Sequence, residues 1–273
     1  MKKVHLLAIA LSLGVLASCQ KDSETSTEQT LSGSAVKGNL NTAQVKVYQY
    51  SNGQRGLLVA STTTDAKGSF SMSTDHQGAV EIVVSQGSYL DEATGTQVSL
   101  QANELRSIVS LNKSNRNAAV TALTTIAAGY VDVHAAAGIE TAISNANLKV
   151  ADAFGLKGID ISTVIPADLS LPASAATTAQ IQYGAIQAGL SQSVKQENLS
   201  ADKLLTLIKD FSKDMSDGVI DGKSGTVAVQ FALTITPSQA AAGLNTAITN
   251  FLNSSNNKSG YAAGSVSITV PRP

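Results

Sequence analysis

Residues 43–53 read Ala43-Gln44-Val45-Lys46-Val47-Tyr48-Gln49-Tyr50-Ser51-Asn52-Gly53. Val45 and Val47 alternate with Lys46 and Tyr48, a period of two that turns one face of a strand toward a core. Ser51-Asn52-Gly53 then supplies a turn. The same grammar recurs downstream. Phe70 and Met72 alternate with serines, and Val80, Ile82 and Val84 point one way. Asp65-Ala66-Lys67-Gly68, Gln77-Gly78 and Gln86-Gly87 punctuate the runs. Several strands at this spacing over residues 33–112 predict a small antiparallel β-sandwich.

Past Asn117 the period lengthens. Val120, Leu123, Ala127 and Tyr130 fall at helical spacing, as do Tyr183, Ile186, Leu190 and Val194, and again Leu204, Ile208, Phe211 and Met215. Ser200 reads as the N-cap of the third group, with Asp202 in a first turn where the helix dipole favours an acid. Thr236-Pro237-Ser238-Gln239 combines a capping box with Pro at the first helical position, ahead of Leu244, Ile248 and Phe251. The prolines of residues 165–172 interrupt any helix and mark a surface connection. The expected class is α+β. A sandwich is followed over residues 117–273 by a mainly helical domain of four to six helices, the last ending near residue 255. Residues 226–235 and 265–270 are rich in β-branched side chains and read as strands that pair with each other or extend the sandwich.

The sandwich half resembles the carboxypeptidase regulatory-like, or transthyretin-like, domains of bacterial surface proteins. The likeness is carried by Ser34-Ala35-Val36-Lys37-Gly38, by Ala43 to Tyr48, and by Thr64-Asp65-Ala66-Lys67-Gly68-Ser69-Phe70. It implies that Asp65 and Gly68 form a hairpin turn and that Phe70 enters the core. It implies no peptidase activity, because the family is named for an accessory domain. An immunoglobulin-like sandwich of another lineage would share the pattern. Leu123 to Ala128, Val150 to Leu156 and Pro166 to Leu169 are similar to segments found behind such sandwiches in bacterial lipoproteins, a likeness of architecture alone.

The 273 residues are 43% hydrophobic and 14% charged, enough to bury a substantial core and too apolar for a disordered chain. A formal net charge of −1 without any basic block leaves no electrostatic footprint for nucleic acid, and the absence of Trp argues against stacking platforms. The N-terminus has Lys2-Lys3, then an apolar run from Val4 to Leu16, then small residues. That is the pattern of an export signal over residues 1–18, with a run too short to be a comfortable membrane span.

Leu16-Ala17-Ser18-Cys19 resembles the bacterial lipobox. The resemblance implies cleavage between Ser18 and Cys19 and acylation of the Cys19 thiol, the only cysteine of the chain. Gln20, where an Asp would imply retention in the inner membrane, implies the outer membrane of a Gram-negative host. Loss of residues 1–18 removes Lys2 and Lys3 and takes the formal charge to −3. Residues 19–32 read as a flexible lipidated tether, since Leu31 is the only large apolar side chain between Gln20 and Ser32.

Candidate chemistry is sparse. Beyond residue 18 the histidines are His76 and His134, and no His or Cys spacing of a zinc site occurs. Gly189-Leu190-Ser191-Gln192-Ser193 lacks the second glycine of a nucleophile elbow, so Ser191 reads as a helix-surface serine. Gly218-Val219-Ile220-Asp221-Gly222-Lys223-Ser224 is one residue short of a phosphate loop and follows a helix. Asp214, Asp217 and Asp221 with Gly222 offer oxygen ligands to Ca²⁺, but a loop starting at Asp217 places Val219 and Ala228 where an EF-hand needs oxygens. A helix C-cap at Gly218 with a polar turn is the preferred reading there, with an irregular Ca²⁺ site as the alternative. Asp91-Glu92 reads as a solvated loop, a paired acid and base being the alternative.

The sequence therefore leads to a lipid-anchored envelope protein with no catalytic residue, metal or other cofactor, serving as a non-enzymatic scaffold or protein-interaction module. Its expected partners are the membrane, through acyl chains on Cys19, and an envelope protein or surface polymer. An adhesin or polymer-binding module is the first alternative and an undetected hydrolase the second.

Overall fold

The computed structural model describes residues 28–173, 175–231, 237–266 and 269–271. The export signal, the cleavage site Ser18-Cys19, Thr236, and residues 232–235 and 267–268 of the two strand-like pieces lie outside the described residues. Nine strands come first: β1 (Gln29–Val36), β2 (Gln44–Ser51), β3 (Gln54–Thr63), β4 (Ser69–Thr74), β5 (Gly78–Ser85), β6 (Ser88–Leu90), β7 (Gln97–Ser99), β8 (Glu104–Leu111) and β9 (Arg116–Thr121). Helices follow: α1 (Ala122–His134), α2 (Ile139–Ala153), α3 (Thr178–Gln196), α4 (Lys203–Asp214) and α5 (Pro237–Leu252). The chain is thus α+β, with strands in the first half and helices in the second.

One sheet has the order β3-β2-β5-β8 and the other β4-β1-β9, with β6 and β7 as a separate hairpin. The alternation in β2 does what its period requires at Val45 and Val47, both buried; beyond Val47 the register against β3 slips and the next buried residue is Tyr50, off that period. In β5 six consecutive residues, Ala79 to Val84, are buried, so both faces of that strand are covered. The pairing of β1 with β9 is parallel, from Leu31 opposite Arg116 to Val36 opposite Thr121, where an antiparallel arrangement throughout was expected. Periodicity reports which face of a strand is buried and is silent on the direction of its neighbour.

The turn at Asp65 is built as read, with the Asp65 carboxylate accepting from the backbone of Lys67 and Ser69 at 2.8 Å and Gly68 at φ +77°. Phe70 enters the core. The turn joins strands of different sheets, however, and is not a hairpin.

Four boundaries differ from expectation. Strand β1 begins at Gln29, inside the stretch read as tether, because Leu31 is fully buried and Gln29 to Ser34 pair with β4. Val120 belongs to β9, and α1 starts directly after it with a reciprocal Thr121–Thr124 capping box. Helix α4 is preceded by Asp202, with no side-chain cap from Ser200 or Asp202. Of the two strand-like pieces, the first keeps among its described residues only Val227–Ala228, a two-residue rung with Lys223–Ser224; in the second, Ser265 ends a 3₁₀ turn (Ala263–Ser265) and residues 266, 269 and 270 are not in a strand. Helix α5 does open at Pro237. The proline-bearing connection lacks helix and strand, yet Leu169 is buried and accepts from the Lys258 N–H, so the segment is packed.

The core is continuous from Leu31 to Val270 and crosses the expected domain boundary. Helix α1 is its centre. Ten successive residues, Ala122 to Val131, are buried, as expected of a helix apolar on every side. Its contact with α4 is close at Gly129, where a Cβ would stand 1.9 Å from the Ser212 carbonyl oxygen. A methyl group there must push α4 away. Gly129→Ala is therefore expected to lower unfolding stability by about 2–3 kcal/mol or more, read by urea titration, whereas Gly243→Ala, with open space around its Cα, should be neutral or slightly stabilising.

Candidate functional site

Three polar assemblies stand out, and the most buried lies where the sheets meet α3. Lys37 follows β1 directly and is fully buried. Its Nζ donates to Glu92 Oε2 at 2.5 Å and to Ser191 Oγ at 2.6 Å. The Ser191 hydroxyl donates in turn to Glu92 Oε2 at 2.9 Å, closing a three-membered ring of hydrogen bonds. The other carboxylate oxygen of Glu92 accepts from the Gly38 backbone at 3.0 Å. The Tyr89 ring lies 5.5 Å from Nζ. Burial, then the charges of Glu92 and Asp91, hold the Tyr89 phenol above its ordinary range.

Local sequence explains each placement. Gly38 has φ +58°, and a Cβ there would meet the Leu90 carbonyl at 2.3 Å, so only glycine lets β6 approach and brings Glu92 over Lys37. The β6–β7 loop is shaped by Asp91, whose Oδ1 accepts from the Thr94 backbone and hydroxyl at 2.9 and 2.8 Å. Lys195 and Asn256 both donate to the Ala93 carbonyl, at 2.7 and 2.6 Å, so α3 and the segment after α5 grip the same loop.

Asp91 and Glu92 are accordingly buried and not a solvated loop, and Ser191 is buried on α3 and not a surface serine. The signal available in the sequence was the Lys37-Gly38 pair. A lysine directly after the apolar pair Ala35-Val36 needs a carboxylate partner once the fold buries it. Serine, lysine and carboxylate in contact are the ingredients of an activated nucleophile. Here all three side chains are at most 4% exposed, and the lysine and carboxylate are engaged with each other. The ring therefore ties the end of β1, the β6–β7 loop and α3 together.

The second assembly joins the larger sheet to α1. Glu81 of β5, fully buried, accepts from Arg55 of β3 at 2.5 Å and from Arg106 of β8. Arg106 forks onto Asp132 of α1 with two bonds of 2.9 Å, and Tyr50 donates to the same carboxylate at 2.5 Å. Burial first, then Asp132, pushes the Tyr50 phenol well up, so it remains a donor. Arg55 also reaches Glu104 at 2.9 Å.

The third is the aspartate-rich loop after α4. Asp214 Oδ1 accepts from Gly222 at 2.9 Å, Asp217 from Val219 and Gly225 at 3.0 and 2.6 Å, and Asp221 from Lys223 at 3.0 Å. Gly218 takes the left-handed cap conformation, φ +95°. These carboxylates cap their own loop, and among the described residues no cluster of three or more His, Cys, Asp or Glu is placed to hold a metal. Asp214 is buried, and desolvation pushes its carboxyl up to about 6 against the pull of the Gly222, Asp221 and Lys223 N–H groups.

His76 sits between β4 and β5, where its carbonyl accepts from Gln29 at 2.5 Å. His134 stacks on Tyr130 with ring centroids 3.9 Å apart. No described helix is long and apolar enough to cross a membrane.

No family model matches the chain, and no curated protein matches it. Among solved structures it is similar in part to the major pilin subunit BcpA of Bacillus cereus: 16% identity over 34% of this chain and 29% of that one, TM-score 0.25. It is also similar in part to a 9R-lipoxygenase from Cyanothece PCC8801: 12% identity over 44% of this chain and 24% of that one, TM-score 0.24. The chain thus spans less than a third of either structure.

Two outcomes follow. Lys37→Met leaves Glu92 buried without its cation and should cost about 3–5 kcal/mol in urea unfolding, while Lys37→Met with Glu92→Gln, which keeps an acceptor for Gly38, should cost less. A single variant within about 1 kcal/mol of the parent would contradict the assignment. Asp214 binds its proton more tightly folded than unfolded, so its contribution to stability is complete below pH 3.8 and is lost as pH rises to about 6. The stability difference between parent and Asp214→Asn should change across that window and be level above it.

Proposed function

We propose that the chain is a lipid-anchored protein of the bacterial cell envelope that acts by display and contact, as a scaffold or protein-interaction module. The observation that carries this reading is the place of the only cysteine, Cys19, behind Lys2-Lys3, an apolar run and Leu16-Ala17-Ser18. The first strand begins at Gln29, ten residues further on. Those ten residues span at most about 35 Å, which would keep the folded part close to the bilayer that holds the acyl chains.

The sealing of Ser191, Lys37 and Glu92 supports a non-catalytic reading, because a substrate would have to displace α3 to reach the serine. The finer reading of the fold is that the two sheets face each other as a transthyretin-like sandwich. Both contribute to one core, Leu31 and Phe70 from one sheet and Val45, Val47, Ile82 and Val109 from the other.

The experiment is metabolic labelling of the full chain with alkyne-tagged palmitate in a Gram-negative host, followed by density fractionation. The parent should carry label in the outer-membrane fraction and Cys19→Ala should carry none; by the sorting rule, Gln20→Asp should move label to the inner membrane. An unlabelled parent, or label that survives Cys19→Ala, would overturn the anchor.

A further inference from the structure

Strand β3 is packed unlike the other long strands. Not one of its ten residues is buried, whereas β5, two places away in the same sheet, has six. It is an edge strand, with β2 as its only ladder partner among the described residues. Its register against β2 slips twice, between Val47 and Tyr48 and between Tyr48 and Tyr50, which turns two successive leucines outward. Leu57 is 73% exposed and Leu58 52%. Of the devices that guard edge strands, β3 has the two register slips and one charge but neither Lys nor Pro. Its one charge, Arg55, is already held by Glu81 and Glu104, so the edge attracts neither an acidic nor a basic partner.

What the strand matches is itself. About Leu58 its polarity is mirror-symmetric: Leu57 answers Val59, Gly56 answers Ala60, Arg55 answers Ser61 and Gln54 answers Thr62. A two-fold contact demands that kind of self-complementarity, since each residue must suit its symmetry mate. Antiparallel pairing would set aliphatic against aliphatic at the axis and polar against polar outside it, the arrangement that favours cross-strand pairs. We propose that β3 is the contact surface between two copies of this chain, paired antiparallel across a two-fold axis at Leu58. The contact stands apart from the lipid anchor, because every residue it uses lies in the folded part.

The low cysteine content makes the test clean. In the full chain carrying Cys19→Ser, solubilised in detergent, Leu58→Cys supplies a single thiol at the axis, and Leu148→Cys supplies one at an exposed position of α2. Under mild oxidation Leu58→Cys should give a disulfide-linked dimer on a non-reducing gel and Leu148→Cys should not. By sedimentation the Cys19→Ser chain should show a concentration-dependent dimer, and adding Leu58→Lys should return it to monomer, with the unfolding midpoint that the Cys19→Ser chain itself shows at concentrations too low for it to pair. Equal cross-linking at both positions, or no cross-link at Leu58 with a monomer at all concentrations, would overturn the proposal; the second result would leave the edge to a strand of another protein.

Discussion

A lysine enclosed in apolar surroundings obliges everything near it to supply compensation, and Lys37 imposes that requirement on two distant parts of the chain. Isolated, the ammonium would cost several kcal/mol to bury. It is satisfied only if Glu92 arrives from the β6–β7 loop and Ser191 from α3, at sequence separations of 55 and 154 residues. The remaining carboxylate oxygen is met by the Gly38 N–H, and the loop that carries Glu92 is held by Lys195 and Asn256. A second polar tie works in the same direction: the hydroxyls of Thr121, the last residue of β9, and Tyr183 lie 2.6 Å apart, joining that strand to α3. Both ties cross the seam between the strand-rich and helix-rich halves, which accounts for one core where the change of period suggests two.

Much of the architecture was legible because it depends on period and on local turn chemistry. The alternation at Val45 and Val47, the Asp65–Gly68 turn, Phe70 in the core and Pro237 at the start of α5 are all decided within a few residues of sequence. The errors fall where the deciding contact is remote. Val120 fits a helical period but is claimed by pairing with Ala35 of β1. Leu31, alone among polar neighbours, resembles a tether residue until β4 and β9 enclose it.

The polar assemblies were the least legible part, for the same reason. Asp91-Glu92 has the composition of a surface loop, and Ser191 sits in a helix with small and polar neighbours. Nothing local announces that a lysine will be buried between them. The sequence does hold one half of the signal, Lys37 between the apolar pair Ala35-Val36 and a glycine. It does not hold the other half, because no single sequence states which carboxylate answers.

The most direct test of this organisation is native-state hydrogen exchange. If the Lys37–Glu92–Ser191 ring ties β1, the loop and α3 into one unit, the Gly38 amide and the hydrogen-bonded amides of residues 91–96 should exchange only through global unfolding, with the protection of the α3 interior. Exchange of those amides well ahead of α3 would show that the loop opens independently and that the buried ion pair is not what holds the two halves together.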